Sequence, residues 1–405
     1  MDAINLDIFD PDRYVAAVPH ETFRRLRHEA PVFWHPEPNG AGFWAVTKHR
    51  DVFAVSTDPK TFSSASHGAM LVDPDEQQLQ SMQLMMLNMD PPRHTKLRNL
   101  VSKGFTPRMI ARLQDQVKTV TTRVIDRIAP RGACDFVTEV AADLPLQVIA
   151  EMIGIPPEDQ RKIFDWSNRM IGFDDPEYRT SFDDGIVAAT EMYAYANDLA
   201  VARRQNPKDD LVSVLMTAEV DGERLSELEF DVFFLLLSVA GNETTRNLLS
   251  GGLLALIEHP EERRKLVADP ARIPAAVEEL LRWVSPVMHF RRTATRDTEI
   301  RGTKIREGDK VVVYYVSANR DEDVFADPFR FDVERRPNEH LAFGIGTHFC
   351  LGASLARLEI RVLFEELLRR LPDIELAAPP RRLRSNFING IKEMQIRYTP
   401  ERPVH

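Results

Sequence analysis

Apolar residues recur three and four positions apart over much of the chain between about residues 91 and 284, which is the spacing of one face of an α-helix. The stretch TPRMIARLQDQVKTVTTRVIDRI shows this pattern clearly. The stretch EFDVFFLLLSVAGNETTRNLLSGGLLALIEH extends it for about eight helical turns. A further helix is predicted over about 350–371. These two regions form the predicted helical core.

Three shorter regions, at about 31–60, 288–330 and 380–400, are predicted to be β-rich. In the first, which follows a short predicted helix at Pro19–Ala30, a turn cluster separates two aromatic-rich runs and indicates a hairpin. Further strands are predicted over Thr298–Ile305, over Lys310–Val316 and near Met394–Tyr398. The pattern therefore predicts one mainly α domain over residues 1–405 with a β-rich flank.

Composition narrows the class of protein. The chain has 405 residues, 43% of them hydrophobic, enough to bury a large core, and its net charge of −10 disfavours nucleic-acid binding. The acidic N-terminus lacks the basic start and apolar core of a secretory signal. The apolar run Val232–Gly241 spans about half of the roughly 20 residues that cross a bilayer. We therefore expect a cytoplasmic protein without a membrane anchor.

One of the two cysteines, Cys350, lies in the glycine-rich segment HLAFGIGTHFCLGASLARLEI, directly before the last predicted helix. Gly344, Gly346 and Gly352 would let the backbone pass near a flat cofactor and aim N–H groups at a thiolate. The nearby helix N-terminus would stabilise the negative charge. Taken alone, a single cysteine is more often a small buried hydrophobe, or it could be a nucleophile.

A second motif, AGNETT, places polar residues in the middle of an otherwise apolar helix, and buried polar groups there need a reason. Two purely structural explanations exist. The Thr244 hydroxyl could bond back to the preceding turn, and Glu243 could pair with Arg246 at a solvent edge.

The pattern F-G-x-G-x-H-x-C-x-G-x-x-L-A-x-x-E, from Phe343 to Glu359, resembles the haem-binding signature of the cytochrome P450 family. The resemblance covers nearly the whole chain and implies a helix-rich triangular prism with small β-sheets flanking a buried haem b. It implies that Cys350 ligates the iron. It also implies that Ala240 and Gly241 leave room for oxygen above the iron, while Thr244 and Glu243 deliver protons.

The same resemblance assigns further roles around the haem. His94, Arg98, Arg292 and His348 would bind the haem propionates, and arginine suits such carboxylates because it binds them with two parallel hydrogen bonds. Phe343, Gly344 and Gly352 would lie against the cofactor. Glu279 and Arg282 match the E-x-x-R pair of the family, whose role is structural. From spacing alone they would be an ordinary helical ion pair.

The segments RLRSNFINGIKEMQIRYT and AGNETTRN are similar to bacterial monooxygenases that oxidise terminal methyl groups of steroid side chains or methyl-branched lipids. An apolar, methionine-rich pocket suits such substrates, although any one of its residues could simply be core. The predicted pocket residues are Met82, Met85, Met86, Met170, Phe233, Leu237, Val287, Met288 and Phe387.

No dinucleotide-binding loop is recognisable, so electrons are expected from a ferredoxin and its reductase, with the enzyme acting as a monomer. Their docking surface is expected on the cysteine side, at a basic patch formed by Arg108, Arg112, Arg357 and Arg361. The alternatives are a peroxide-driven enzyme or an isomerase on the same fold, and a non-catalytic haem sensor or carrier. A sensor or carrier has no use for Glu243 and Thr244.

Overall fold

The computed structural model describes residues 6–38, 40–105, 107–171, 174–178, 184–219 and 222–401, without the side chains of residues 107, 108, 110, 112 and 171. Within these ranges lie fourteen α-helices. They are α1 (His20–Glu29), α2 (His49–Thr57), α3 (Glu76–Met82), α4 (Arg93–Ser102), α5 (Pro107–Ile128), α6 (Asp143–Ile153), α7 (Gln160–Ile171), α8 (Asp184–Gln205), α9 (Leu211–Thr217), α10 (Glu227–Glu258), α11 (Pro260–Ala268), α12 (Ile273–Val284), α13 (Tyr315–Ala318) and α14 (Ala353–Arg370).

The same ranges contain twelve short strands. They are β1 (Val32–His35), β2 (Phe43–Val46), β3 (Phe62–Ser63), β4 (Ala133–Asp135), β5 (His289–Ala294), β6 (Thr298–Ile300), β7 (Thr303–Ile305), β8 (Lys310–Tyr314), β9 (Glu375–Leu376), β10 (Arg381–Arg382), β11 (Ile391–Glu393) and β12 (Gln395–Arg397). The predicted mainly α fold with small sheets is confirmed.

The largest sheet has the strand order β1-β2-β8-β5-β3, and the predicted hairpin forms its edge. Strand β8 is apolar at almost every position because both of its faces are covered. Val311 and Val313 pack into one hydrophobic cluster, whereas Val312 and Tyr314 pack into a second cluster on the opposite face. A third and much larger cluster joins the helices and includes the buried side of α10.

Helix α10 runs through this large cluster for 32 residues. Its first turn is fixed by a capping box, in which the Ser226 hydroxyl accepts from the Glu229 N–H and the Glu229 carboxylate accepts from the Ser226 N–H. It ends two residues before Pro260, where α11 begins. The predicted long central helix is therefore present, with its polar AGNETT segment in the middle.

Several elements differ from the sequence prediction. The region at about 31–60 also contains α2, which begins where the distant Asp321 carboxylate accepts from the His49 N–H at 2.8 Å. The strand predicted to reach Val316 ends at Tyr314, because the Asn319 N–H bonds back to the Tyr315 carbonyl at 2.9 Å and forms α13. Strand β4 interrupts the helical region and pairs with β12. The first and third differences depend on long-range contacts, whereas α13 forms through a local bond.

Candidate functional site

The loop that carries Cys350 folds tightly just before α14. Gly344 and Gly346 have φ angles of +66° and +76°, a conformation that glycine adopts without strain. The Cys350 N–H donates to the Phe343 carbonyl at 2.9 Å, so the loop closes on itself. A Cβ added at Gly352 would meet nothing within 4 Å, so the backbone next to the sulfur borders an open space.

The electrostatic surroundings of the Cys350 thiol suit a metal ligand. Its side chain is accessible, yet the protein atoms around it desolvate the sulfur, and this burial raises the pKa of the thiol. The hydrogen bond from the Gly352 N–H and the positive charges of Arg98 and Arg357 lower the pKa of this thiol. Without a metal the sulfur therefore keeps its proton, and a bound cation would displace that proton and take the thiolate as its ligand.

Four basic side chains converge beside this loop from three separate elements. Helix α4 supplies His94 and Arg98, strand β5 supplies Arg292, and the cysteine loop supplies His348. The rings of His94 and His348 are 4.3 Å apart, and Arg98 donates to the Phe349 carbonyl at 2.7 Å. Burial, with Arg292 and His94 adding to it, lowers the pKa of His348 to about 2. The four side chains thus influence one another directly.

This cluster of bases has unused hydrogen-bonding capacity. Within the described ranges, neither ring nitrogen of His94 has a partner, and Nε2 of His348 has none. No ion pair to a described acid is seen for any of the four residues. Buried polar groups of this kind are normally satisfied, so the cluster fits an anionic group with several oxygens. Two carboxylates at the rim of a flat cofactor, such as the haem propionates, match it.

Helix α10 has an accessible strip in its middle. Leu237, Gly241 and Thr244 are half-buried and Ala240 is exposed, although the residues on the rest of this helical segment are mostly buried. Their spacing of three and four residues places them on one face of the helix. A wall of small and apolar side chains in the middle of a core helix is suited to a flat ligand and a small molecule above it.

The structure shows a packing role for Gly241. A Cβ added there would approach Cδ1 of Ile149 on α6 at 3.0 Å, so the glycine permits close packing of α10 against α6. Ala240 is exposed and Gly241 is half-buried on the strip, so the room for oxygen expected at both residues stays a prediction. Gly241 additionally permits the helix–helix contact.

Glu243 and Thr244 are held by neighbours on the same helix. The Thr244 hydroxyl donates to the Ala240 carbonyl at 2.7 Å. Glu243 is 1% exposed and is ion-paired with Arg246, which also donates to Asn168 on α7 at 2.9 Å. The pair therefore lies in the interior, whereas the local alternative placed it at a solvent edge. Helix α7 covers it.

The Glu243 carboxyl has properties that suit proton transfer. Burial raises its pKa, and the ion pair with Arg246 opposes this shift. Its Oε1 has no partner among the described residues. One oxygen is thus fixed by the arginine while the other is free to exchange a proton with a neighbouring group.

Comparison with known proteins decides the family. Residues 186–393 match the family described as Cytochrome P450, and this span includes both the AGNETT segment and the cysteine loop. The chain belongs to the cytochrome P450 family. It is a haem-thiolate monooxygenase, and the cysteine loop, the basic cluster and the accessible strip described above fit the cofactor of that family.

Two curated relatives and one solved structure show how close the similarity is. A steroid C26-monooxygenase of Rhodococcus jostii is 44% identical, over 97% of this chain and 84% of its own length. A methyl-branched lipid omega-hydroxylase of Mycobacterium tuberculosis is 47% identical, over 93% of this chain and 90% of its own. A Mycobacterium marinum cytochrome P450 in complex with pseudoionone is 42% identical with a TM-score of 0.87, covering 94% of both chains.

In this P450 the E-x-x-R pair holds the segment that precedes the cysteine loop. Glu279 and Arg282 on α12 are both 0% exposed and form two hydrogen bonds of 2.7 Å with each other. Arg282 also donates to the carbonyls of Asn319 and Pro328, and Glu279 accepts from the Asp332 N–H. The pair therefore fixes α12 to the irregular segment that leads into the cysteine loop.

The residues predicted to line the substrate pocket are spread over four environments. Met82 and Phe387 border one cavity of about 400 Å³. Met85, Met170 and Leu237 are half-buried against the large cluster. Met86 and Phe233 are buried inside that cluster. Val287 is half-buried and pairs with Ile388 through an isolated bridge. Met288 is 1% exposed in the cluster around Tyr14 and Tyr314, so in this conformation it offers a substrate almost no surface.

The predicted basic patch is partly neutralised. Arg357 forms two hydrogen bonds with Glu278, at 2.7 and 2.8 Å, and its guanidinium lies over the Phe343 ring. Arg361 lies 4.0 Å from Glu365. The side chains of Arg108 and Arg112 lie outside the described residues. Among the described residues, no helix combines the length and apolar character needed to cross a bilayer.

Two features of the site were missed from the sequence. Tyr315 lies between Phe290 and Arg292, and His289 and Asn386 border the same cavity as Met82. The alternation along β5 was the available signal, since Phe290 and Arg292 point to one face of the strand and His289 and Arg291 to the other. The region 288–330 was predicted to be β-rich, but no strand was assigned within His289–Ala294, so this alternation was not used.

Proposed function

We propose that residues 1–405 act as a single cytoplasmic monooxygenase domain that hydroxylates an unactivated C–H bond at the end of a hydrophobic chain. The substrate is a steroid side chain or a methyl-branched or terpenoid lipid. The names of the two curated relatives support this class, as do the apolar side chains near the accessible strip. The observation that carries the proposal is the presence in one chain of a glycine-rich cysteine loop, of buried histidine nitrogens without partners beside that loop, and of a Glu–Thr pair in the middle of α10.

The cofactor is haem b held without covalent attachment. Cys134, the other cysteine, is buried on β4, remote in sequence from Cys350. His94, Arg98, Arg292 and His348 would hold the propionates, because they are basic, lie close together and form no ion pair with an acid in the described part of the chain. Phe343, Gly344 and Gly352 lie against the porphyrin. When bound, the haem supplies the binding and reductive activation of dioxygen.

The residues of the chain then perform separate tasks. Cys350 supplies the thiolate, and the Gly352 N–H, Arg98 and Arg357 favour its charged form. The Thr244 hydroxyl can turn from the Ala240 carbonyl toward the accessible side of α10 and donate there. Glu243 returns protons to that region, because its buried carboxyl holds a proton more readily than an exposed one does. Electrons come from a ferredoxin and its reductase, and the enzyme is a monomer.

The test is a titration of the haem-loaded protein with steroids, methyl-branched lipids, terpenoids and linear fatty acids, monitored by the change in iron spin state. Product analysis follows, with a ferredoxin and its reductase as electron source. We expect tight binding and terminal hydroxylation for a steroid or a branched lipid. Turnover with hydrogen peroxide alone would identify the peroxide-driven alternative, and binding without any turnover would identify the sensor or carrier.

A further inference from the structure

Two buried glutamate–arginine pairs have the same spacing in sequence but different geometry. On α12, Nε and Nη2 of Arg282 each donate to one carboxylate oxygen of Glu279, so this pair is closed by two hydrogen bonds. On α10, Arg246 is also three residues after Glu243, but only its Nη2 reaches the carboxylate, at Oε2. The α10 pair is therefore open, although its spacing permits the closed form.

The open pair leaves two complementary atoms unused. Nε of Arg246 is a donor and Oε1 of Glu243 is an acceptor, and both are buried without a hydrogen-bond partner among the described residues. Buried polar atoms are normally satisfied, and leaving them unpaired costs free energy. In the closed form each of these two atoms would satisfy the other. Another contact must therefore hold the guanidinium away from Oε1.

Asn168 on α7 provides such a contact. Nη1 of Arg246 donates to Oδ1 of Asn168 at 2.9 Å, which is the other hydrogen bond of this guanidinium within the described ranges. The amide oxygen is neutral, so it holds Nη1 without competing with Glu243 for the positive charge. In the closed pair on α12, Nη1 of Arg282 donates to backbone carbonyls instead. The two guanidinium groups are thus held by partners of different kinds in different places.

Arg246 is the charged group that acts on Glu243. Burial raises the pKa of Glu243, and Arg246 opposes the shift. Burial also raises the pKa of Tyr178, whose hydroxyl both members of the pair influence, so this hydroxyl is neutral at any pH below its usual value of 10. Charged residues on the neighbouring elements have partners of their own, since Lys392 of β11 pairs with Asp175 and Glu177, and Arg169 of α7 pairs with Asp184 and Glu191.

We infer that Asn168 is a positioning residue for proton transfer, because it holds Nη1 of Arg246, keeps the pair open and leaves Oε1 of Glu243 to carry the proton. The inference rests on the proposed function and deepens it. Oε1 gives its proton to the region served by the Thr244 hydroxyl and regains one from solvent. Oε2 stays with Arg246, which stabilises the carboxylate left behind. In a closed pair, Oε1 would accept from Nε instead.

The first experiment measures the protonation of Glu243 directly in the haem-loaded protein. Infrared difference spectra between successive pH values record the carbonyl stretch of a protonated carboxyl group. The band that disappears in Glu243→Gln belongs to Glu243, and its pH midpoint is obtained without any substrate. The midpoint is then compared in two substitutions of Asn168.

The two substitutions should move this midpoint in opposite directions. Asn168→Leu removes the acceptor at similar volume, so the pair should close, and the second charge-assisted hydrogen bond should lower the midpoint by about one pH unit. Asn168→Asp keeps the shape, but its carboxylate competes for Arg246 and adds a negative charge nearby. It should raise the midpoint by about one pH unit. A role in packing alone would not produce shifts of opposite sign.

Turnover tests the same contact independently. With cholest-5-en-3β-ol as the steroid and a ferredoxin and its reductase as electron source, the product-to-electron ratio near pH 7 should fall about 10-fold in Asn168→Leu, because Oε1 is occupied. Asn168→Asp should retain the ratio. The matched control is Asn197→Leu, because Asn197 on α8 also bonds to α10, donating to Asp231 at 2.7 Å, but at a site remote from Glu243 along the helix. It should change neither the midpoint nor the ratio.

Several results would overturn the inference. They are an unchanged midpoint in both Asn168 variants, shifts in the same direction, a wild-type ratio in Asn168→Leu, and the absence of any infrared band that Glu243→Gln removes. If Glu243→Gln itself remains fully coupled, the proton-transfer role in the proposed function fails as well. A wild-type enzyme that oxidises no steroid or branched lipid contradicts the proposed substrate class, while the infrared titration still decides the role of Asn168.

Discussion

Replacing Thr244 with alanine separates proton delivery from folding. The substitution removes one hydrogen bond, from the Thr244 hydroxyl to the Ala240 carbonyl at 2.7 Å. That carbonyl remains within the helix, and alanine favours a helix over threonine by about 0.5 kcal/mol. We therefore expect the free energy of unfolding to change by less than about 1 kcal/mol. Haem loading and the affinity for substrate should also be retained.

The effect on turnover should be much larger. A positioned proton donor contributes about 10²- to 10⁴-fold to a proton-transfer step. If delivery slows by about 100-fold, reduced oxygen escapes before it is used, and hydrogen peroxide becomes the main product. The assay measures electrons consumed, product formed and peroxide released in the same reaction. We expect the product-to-electron ratio to collapse while electron consumption continues.

Thr245→Ala is the matched control. Thr245 adjoins Thr244 but is 4% exposed, on the side of α10 that packs into the protein. Its replacement should leave the product-to-electron ratio unchanged, although packing loss could cost about 1 kcal/mol of stability. If Thr244→Ala remained fully coupled, or if both variants lost coupling equally, the assigned role of the Thr244 hydroxyl would be refuted.

Three other substitutions test the packing around the site. Gly241→Val should destabilise the fold by about 1–3 kcal/mol, because the new side chain meets Ile149. Adding Ile149→Ala should recover much of this loss. If denaturant unfolding showed that the two losses simply add, the contact between these residues would be contradicted. Arg282→Leu should lower the free energy of unfolding by about 3–5 kcal/mol and impair haem retention. The control Arg369→Leu, at a side chain that is 65% exposed, should lower it by less than about 1 kcal/mol. Similar losses of stability in the two variants would argue against the role of the buried pair. Burial raises the pKa of Glu359 from 4.5 to about 8. Between pH 4.5 and about pH 8 the folded state therefore keeps a proton on Glu359 that the unfolded state has lost. Because of this difference in bound protons, the free energy of unfolding falls as the pH rises. Glu359→Gln should therefore flatten the pH dependence of unfolding between those values, and an unchanged profile would refute the assignment.

Local sequence patterns were sufficient for the elements whose chemistry is local. The glycines around Cys350 and the start of α14 lie within a few residues of one another, and the capping box of α10 is a four-residue pattern. The mainly α fold followed from helical periodicity. The convergence of His94, Arg292 and His348 did not follow from any spacing, because they come from separate elements. Only the family resemblance predicted it.

The remaining differences arise from contacts between distant segments. The start of α2 depends on Asp321, and the burial of the Glu243–Arg246 pair depends on α7. Periodicity along one helix could not show that Gly241 faces Ile149. These interactions join residues more than 70 positions apart in sequence, which a local pattern cannot encode.

The most direct test of thiolate ligation is the carbon monoxide difference spectrum of the reduced, haem-loaded protein. The wild-type protein should show the red-shifted Soret band of a thiolate-ligated haem. Cys350→His should retain haem through the basic cluster but move the band to the position of an imidazole-ligated haem, and Cys134→Ser should leave the wild-type band unchanged. A wild-type spectrum without the thiolate band, or the same band in Cys350→His, would contradict the assignment of Cys350 as the iron ligand.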